Sequence, residues 1–284
     1  MKWNLIFLSF IQIVKNIDLF KLLTEELVFA NNDSLVTSLI CKPTPEQMQK
    51  LREGDGNPEA EMRQVNSSAG LAVNYWRAYE LCHPKSKVEF EWKERVPLKR
   101  GKPANIDVVV KEGSDVRFIE SKFLEPYYSD NETPRQSYLD PSKYSKCTKD
   151  APESWVELFK QCQGFKYYNV TQLCRHLLAV SKDMWLKPKY YAQKRVQLCS
   201  VVWDMPDSFI DLYTEDVAEE FVRRRKIVRA EAVKAEHVLN EFINAHLNFV
   251  NLVFRAIKYN DILNEIQDSR YYSKIKEKYF LLES

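Results

Sequence analysis

The chain lacks the residue spacings that are typical of zinc-binding proteins and of disulfide frameworks. None of its six cysteines belongs to a Cys-x-x-Cys pair, and no histidine stands at zinc-finger spacing from them. Several cysteines fall on apolar faces that are predicted to be buried, so we interpret them as free thiols in a reducing cytosol. These absences argue against a structural zinc site and favour a cytoplasmic location.

Long hydrophobic runs are also lacking. The N-terminal apolar stretch from Trp3 to Val14 is too short to span a bilayer, and residues 15–18 after it are not the small residues of a signal cleavage site. We therefore expect a docked helix there, or sequence outside the folded domain, and no stable membrane association. A secreted or surface protein is the alternative that this stretch leaves open.

A strong excess of one charge is the third absence. The 42 lysines and arginines stand against 40 aspartates and glutamates, which leaves a net charge of +2. This near-neutrality argues against a protein that binds nucleic acid by charge alone, but it does not exclude a nuclease with a focused cleft. One basic run, Arg223-Arg224-Arg225-Lys226, has glutamates on both sides, so we interpret it as a solvated helix face.

What the chain does contain is a predicted β-hairpin. Two β-branched apolar runs flank Gly113-Ser114, which fits a two-residue turn with glycine at its first central position. In that register, residues that face each other across the two strands have numbers that sum to 227. Asp107 then lies opposite Glu120, with the two Cβ atoms roughly 5 Å apart. Lys122 projects from the same face as Glu120.

The two faces of this hairpin are predicted to differ in character. The face opposite the carboxylates carries apolar residues: Ile106, Val108, Val110 and Ile119. Two carboxylates opposed across a ladder destabilise it unless a positive charge lies between them. We therefore predict a divalent-metal site at Asp107 and Glu120. Removal of either carboxylate is expected to leave the stability of the metal-free protein unchanged or slightly higher.

Asp107, a gap of hairpin length and then Glu-x-Lys at 120–122 together resemble the signature of the PD-(D/E)XK, or restriction-endonuclease-like, nucleases. Where that signature has proline before its aspartate, this chain has Asn105-Ile106, with Pro103 slightly earlier. The segment 119–127 is also similar to a poorly characterised bacterial group of restriction-endonuclease-like proteins.

The other predicted elements match the order of that superfamily's core, which is helix, three strands, helix, strand. The predictions are a capped helix over 67–82, a strand over 88–96, the hairpin, a helix over 154–180 that breaks near Gly164, and a buried strand over 196–203. The resemblance therefore implies an α/β fold with a mixed central sheet flanked by helices. Patterns beyond it predict a C-terminal helix–strand–helix extension.

Domain organisation follows from the breaks in these patterns. Residues 1–64 are predicted to form an N-terminal appendage, whose part 41–64 contains prolines and glycines and is predicted to be a linker. Residues 65–284 are predicted to form a single nuclease-like domain. A polar loop over 123–152 leaves the hairpin face directly, so a substrate-contacting flap and an unstructured insert are both consistent with it.

The resemblance implies a Mg²⁺-dependent endonuclease that hydrolyses DNA in restriction or repair, with Mn²⁺ as an alternative metal. Asp107, Glu120 and the Ser121 carbonyl would hold the metal. Lys122 would orient the attacking water or stabilise the charge that develops on the phosphate. A further acidic ligand would come from one of three glutamates: Glu80, Glu91 or Glu94. The alternative is an inactive or RNA-directed nucleic-acid-binding module of the same fold, and a homodimer is open in either case.

The second predicted helix has a polar side that is a candidate for substrate binding. Its apolar positions at 170, 173, 174, 177 and 178 form one stripe, which leaves Gln172, Arg175 and His176 together on the other side. The resembled superfamily often has a glutamine on this helix near the active site, which implies substrate-binding roles for these three residues. A solvent-exposed polar side is equally consistent with the pattern, and Gln161 and Gln163 are rival glutamines.

Overall fold

The structure, a computed structural model, describes residues 39–53, 62, 67–99, 101–128, 131–145, 151–207 and 215–280. The N-terminal apolar stretch lies outside these residues. Within them, every helix is too short or too polar to cross a bilayer.

A five-stranded mixed sheet forms the centre of the described chain. Its strands are neighbours in chain order: β1 (Ser86–Arg95), β2 (Pro103–Glu112), β3 (Asp115–Lys122), β4 (Arg195–Val202) and β5 (Leu252–Lys258). The first three form an antiparallel meander, whereas β4 runs parallel to β3 and β5 runs parallel to β4. The fold is therefore α/β with an open mixed sheet, and this level of the prediction is confirmed.

Helices flank the sheet. They are α1 (Pro45–Arg52), α2 (Ser68–Cys82), α3 (Glu125–Tyr128), α4 (Pro152–Gln161), α5 (Val170–Leu186), α6 (Pro188–Tyr191), α7 (Glu215–Phe242), α8 (Tyr259–Ile262) and α9 (Tyr272–Phe280). The predicted break near Gly164 is a short 3₁₀ turn, Cys162–Gly164, between α4 and α5. The predicted C-terminal extension is present as α7, β5, α8 and α9.

Each face of the sheet is covered by its own apolar layer. Helices α4, α5 and α7 cover one face, where Trp155 and Leu239 are buried. Helices α2, α8 and α9 cover the other face, where Trp76 and Tyr279 are buried. Strands that are buried on both faces are usually apolar throughout. A charged residue in the middle of such a strand, such as Glu120 on β3, therefore requires partners.

Helix α2 begins where the sequence predicts. The Ser67 hydroxyl accepts a hydrogen bond from the Gly70 N–H at 2.9 Å, which caps the first turn. Gly70 also permits a close approach, because a Cβ there would lie 2.8 Å from the Met62 carbonyl oxygen. These contacts fix the start of the helix that packs on β1, β2 and β3.

The hairpin of β2 and β3 has the predicted turn and register. Gly113 has a φ of +56°, in the left-handed region that glycine adopts without strain. Paired residues from Glu112 with Asp115 to Val108 with Ile119 have numbers that sum to 227. The regular pairing ends at Val108 with Ile119, and Asp107 and Glu120 are the next residue of each strand.

The alternation of side chains along β2 breaks at Asp107, contrary to the prediction. Val108 packs in the layer of α2, as expected, but Ile106 packs in the layer of α5. The neighbouring strand β1 is irregular at the same level, where Glu91 has a left-handed φ of +58°. The predicted continuous apolar face was wrong. It assumed strict alternation of side chains along the strand, and the sequence does not show where a local irregularity interrupts that alternation.

Part of the predicted linker is a packed helix. Helix α1 begins with a capping box, in which Thr44 Oγ1 accepts from the Gln47 N–H and the Gln47 side chain accepts from the Thr44 N–H. Leu51 is buried in the same layer as α2, and Gln47 Nε2 donates to the Val88 carbonyl at 3.1 Å. Residues 45–52 therefore belong to the packed structure, and their linker assignment is corrected.

The described parts of the predicted loop 123–152 are anchored to the core. Tyr127, Tyr138 and Tyr144 are buried, and the Tyr144 hydroxyl donates to the Tyr138 carbonyl at 2.9 Å. Leu98 and Tyr144 also form an isolated β-bridge. Neither an open flap nor an unstructured insert describes these parts, because their aromatic side chains are used for packing.

Gly113→Ala should destabilise the protein by about 1 kcal/mol, because a side chain disfavours the left-handed φ at this position. No atom lies within 4 Å of the added Cβ, so steric clashes do not contribute. Gly113→Asn should cost less, since asparagine tolerates this conformation. Urea unfolding of the three proteins measures the difference, and an equal loss in both variants would contradict the backbone explanation.

Candidate active site

Glu120 lies in the middle of the sheet with both of its carboxylate oxygens engaged. The residue is 1% exposed. Lys122 Nζ lies 2.7 Å from Oε1, and His176 Nε2 on α5 lies 2.9 Å from Oε2. Since an ionised carboxylate only accepts hydrogen bonds, His176 Nε2 carries the donated proton. We call these three residues the buried triad, and it joins β3 to α5.

The charges of the buried triad stabilise each other. Burial raises the pKa of Glu120, but the Lys122 ammonium and the contact with His176 outweigh it and lower that pKa to about 2. Burial lowers the pKa of Lys122, but Glu120, Glu125 and Asp107 together raise it above its usual value. At neutral pH, Lys122 is therefore an ammonium ion and Glu120 a carboxylate.

Asp107 is held by the main chain of the neighbouring strand. Its Oδ2 accepts a hydrogen bond from the Ser121 N–H at 2.7 Å. Burial and then the Glu120 carboxylate raise the pKa of Asp107 well above its usual value, against the opposite effects of Lys122 and the Ser121 N–H. Burial and the neighbouring negative charge therefore both disfavour the ionised form of Asp107.

The main chain of Ser121 faces β2, and its side chain faces the other layer. The Lys122 carbonyl accepts from the Trp203 N–H at 2.8 Å, so the main chain of Lys122 faces β4. Successive residues of a strand direct their main-chain groups to opposite sides, and the N–H and C=O of one residue point the same way. The Ser121 carbonyl is therefore directed towards β2, whereas its Oγ lies 2.7 Å from the Tyr259 hydroxyl.

Glu120 and Lys122 open onto a cavity of about 250 Å³ at the carboxyl ends of β3 and β4. Ligands of open α/β sheets bind outside these strand ends. A larger cavity of about 530 Å³ lies between α1 and β1, but its walls contain no member of the buried triad. The smaller cavity is the candidate site because its wall contains Glu120 and Lys122. Its other lining residues include Glu125, Glu132, Tyr167, Tyr168, Gln172 and Ser200.

The polar side of α5 faces this cavity. His176 contacts Glu120 directly, Gln172 lines the cavity wall, and Arg175 lies 3.4 Å from Glu132 on the same wall. The structure thus brings together the three residues that the helical spacing grouped, and the alternative of a solvent-exposed side does not describe His176. The rival glutamines are exposed outside the cavity wall: Gln161 and Gln163.

The three candidates for a further acidic ligand have other partners. Glu80 accepts from a main-chain N–H of β1 at 3.0 Å, and Glu94 forms an ion pair of 2.7 Å with a lysine of α5. Glu91 accepts from the Asn105 side chain. Its charge also contributes to the raised pKa of Asp107, so Glu91 is the candidate nearest to the site in its electrostatic effect.

Glu125 and Ser200 are among the cavity residues for which the sequence gave no prediction. Glu125 accepts from the Phe123 N–H at 2.9 Å and from the Ser68 hydroxyl, and its charge raises the pKa of Lys122. Ser200 on β4 pairs with Glu120 in parallel register. The spacing Lys-x-x-Glu after the strand was a usable indication of Glu125. Ser200 had no such indication, because a parallel register between distant strands is not visible in a sequence.

Within the described ranges, no group of three or more His, Cys, Asp or Glu side chains is arranged to hold a metal ion. Mg²⁺, however, is typically held by only one or two carboxylates and completes its shell with water and substrate phosphate. The oxygens of Asp107, Glu120 and the Ser121 carbonyl are hard donors of that kind. The charge of Glu120 contributes to the raised pKa of Asp107, and a cation between the two carboxylates would oppose that effect.

Comparisons with models of protein families, with curated proteins and with solved structures find no match to this chain. Its class is therefore inferred from its own fold and site. It is an α/β protein with a buried lysine–glutamate–histidine triad and an aspartate that accepts a main-chain hydrogen bond from the strand of that glutamate.

Replacement of the two carboxylates should change stability in opposite directions. Glu120→Gln should destabilise the metal-free protein by about 3 kcal/mol, because Lys122 loses its buried counter-charge. Asp107→Asn should leave stability unchanged or raise it, since the amide oxygen still accepts from Ser121 and the repulsion disappears. Urea unfolding at neutral pH measures both. The expectation of no loss is thus kept for Asp107 and withdrawn for Glu120, and a strongly destabilised Asp107→Asn would contradict the repulsion.

The stability of wild type and that of Glu120→Gln should also differ in their sensitivity to acid. Because the pKa of Glu120 is lowered from 4.5 to about 2, its contribution to folding is complete above the higher value and is lost as the pH falls towards the lower one. Glu120→Gln should lack this part of the pH dependence. The measurement is the urea midpoint of wild type and of Glu120→Gln at neutral pH and at about pH 3. An equal change in midpoint between the two pH values for both proteins would contradict the prediction.

Proposed function

We propose that this protein is a metal-dependent endonuclease of the PD-(D/E)XK type that hydrolyses DNA phosphodiester bonds. The supporting observation is that Asp107, Glu120 and Lys122 converge at the end of the β2–β3 hairpin, with Lys122 Nζ 2.7 Å from Glu120 Oε1. The element order of α2, three strands, α4 with α5, and β4 agrees with the core order of that superfamily. The five described cysteines are free, which fits the cytoplasmic location that we propose.

Each residue of the site has a chemical role in this proposal. A bound Mg²⁺ would polarise the scissile phosphate and lower the pKa of a water molecule. Asp107, Glu120 and the Ser121 carbonyl would hold the ion. Lys122 is protonated, so it acts as a fixed positive charge on the phosphate or as a donor that orients water, and it does not act as a general base.

His176 positions Glu120 in this arrangement. Its Nε2–H holds Oε2 while Lys122 holds Oε1, so the carboxylate is fixed from both sides. Each carboxylate oxygen has a second lone pair that remains available to a metal. The glutamine that the resembled superfamily often has on this helix is represented by Gln172, about one turn earlier on the cavity wall.

A nucleic-acid-binding module without catalysis, directed to DNA or RNA, is the second candidate function. The observation in its favour is that both Glu120 oxygens have protein partners and that Glu120 is almost completely buried. A triad with compensated charges is stable without a metal ion. The two candidates differ in whether Asp107 contributes to metal binding.

Asp107→Asn is the sharpest test of catalysis, because this variant is expected to fold. Wild type should cleave plasmid DNA in millimolar Mg²⁺ and be inactive in EDTA, and Asp107→Asn should lower the rate at least about a hundred-fold. Ca²⁺ should support DNA binding without turnover, since its looser shell orients water poorly. Asp115→Asn is the matched control, because Asp115 pairs with Arg195 at the other end of the hairpin. Equal cleavage by wild type and Asp107→Asn would refute the proposed site.

Lys122→Gln should separate metal binding from turnover. The ammonium acts on the reaction more than on the metal ligands, so the variant should retain Mg²⁺ binding and lose cleavage. Isothermal titration calorimetry with Mg²⁺ and a cleavage assay on the same preparation measure the two properties. DNA binding by a wild type that binds no metal and cleaves nothing would instead support the second candidate.

A further inference from the structure

Three cations converge on one tyrosine in the wall of the cavity. Lys166 Nζ lies 4.9 Å and Arg224 Cζ lies 5.3 Å from the ring centroid of Tyr167. Arg223 Nη2 donates to the Tyr167 hydroxyl at 3.2 Å. Because Tyr167 lines the same cavity as Lys122, these cations lie beside the candidate active site. We call Lys166, Tyr167, Arg223 and Arg224 the cation cluster.

Helix α7 holds the cation cluster in place. Glu231 of α7 accepts hydrogen bonds from three consecutive main-chain N–H groups, 166–168, at 2.7, 2.9 and 2.9 Å. Arg224 Nη1 donates to the Tyr127 carbonyl at 2.6 Å, which ties α7 to the segment that follows β3. The main chain at Lys166 and the side chain of Arg224 are therefore fixed before any ligand binds, which reduces the ordering cost of binding.

The arginines of α7 are not the simple solvated helix face that the charge pattern suggested. Glu220 accepts from Arg223 Nε and from Arg224 Nε, both at 2.6 Å. A carboxylate and a phosphate present similar pairs of oxygens to guanidinium groups. Glu220 fills the place between the two arginines and also accepts from Arg223 Nη2, so a phosphate would meet Arg223 at Nη1. Arg223 Nη1 has no hydrogen-bond partner in the part of the chain that the structure describes.

The cluster keeps a positive charge after its acidic neighbours are counted. Three cations stand against the carboxylates of Glu220 and Glu231, which leaves one positive charge. The pKa of Tyr167 agrees with this, because burial raises it but Lys166 and the two arginines lower it below its usual value. The side chain of Arg223 is 49% exposed, and Lys166 is exposed as well, so both are accessible to a ligand.

We propose that the cation cluster binds a backbone phosphate of the nucleic-acid strand that enters the cavity beside Lys122. That the ligand is a nucleic acid rests on the proposed function. The new element is the path of the strand, which runs from the buried triad across Tyr167 to α7. Arg223 and Lys166 contact the phosphate in this arrangement. Arg224, which is anchored to the Tyr127 carbonyl, positions the cluster.

The test measures DNA binding in EDTA, where no cleavage interferes. Fluorescence anisotropy with labelled duplex and single-stranded oligonucleotides gives the slope of log K against log salt for wild type, Arg223→Gln and Lys166→Gln. Loss of one phosphate contact should reduce that slope by about 0.9 on duplex or about 0.7 on a single strand. Arg223→Lys, which keeps the charge, should retain the wild-type slope.

Arg195→Gln is the matched control. Arg195 begins β4 at the end of the sheet away from the cavity, and its side chain is 74% exposed and paired with Asp115. The control should leave the slope unchanged. Thermal unfolding of each variant shows that it is folded at the assay temperature.

The outcomes separate this proposal from the proposed function. Reduced slopes in Arg223→Gln and Lys166→Gln, with no change in Arg195→Gln, support the strand path, even if wild type cleaves nothing and the nuclease proposal fails. Unchanged slopes in the two cluster variants overturn it, even if wild type is an active nuclease. An equal reduction in Arg195→Gln, or no binding of DNA by wild type, overturns it as well.

Discussion

The contact of the buried Glu120 carboxylate with Lys122 and His176 is the interaction on which the rest of the site depends. The sheet is covered on both faces, so a negative charge in the middle of β3 is stable only with close partners. Lys122 comes from the same strand, but His176 comes from α5, which packs across the sheet. The triad therefore fixes α5 relative to β3, and with it the cavity wall that contains Gln172.

The second carboxylate of the pair has a different environment, and the difference is chemical as well as geometric. Glu120 has two cationic or hydrogen-bonding partners, and its pKa is lowered. Asp107 has the Ser121 N–H and an opposed negative charge, and its pKa is raised. Two carboxylates whose pKa values are pushed apart by their surroundings commonly have distinct roles in catalysis. In the proposed nuclease, Glu120 would be a ligand held in place by the triad, and Asp107 would become a ligand as a cation stabilises its ionised form.

The irregularity of β1 and β2 explains how Asp107 reaches this position. Val108 and Ile106 pack on opposite faces although they are two residues apart, and Glu91 on β1 has a left-handed backbone at the same level. The Asp107 carboxylate accepts the Ser121 N–H in place of a main-chain oxygen. At the break in the ladder, a side chain of β2 is thus bonded to the main chain of β3. This bond lies near the carboxyl end of β3, where the cavity is.

The sequence by itself determined the elements and the local geometry of the hairpin. The turn at Gly113 and the register from Glu112 with Asp115 to Val108 with Ile119 follow from β-branched runs and turn chemistry. The grouping of Gln172 with His176 follows from helical spacing, and both are short-range properties. Tertiary structure alone decided that His176 contacts Glu120, that Ser200 pairs with Glu120, and that α7 brings Arg223 to Tyr167. Those contacts join segments that are far apart in the chain, and their formation depends on how buried layers pack, which no local pattern encodes.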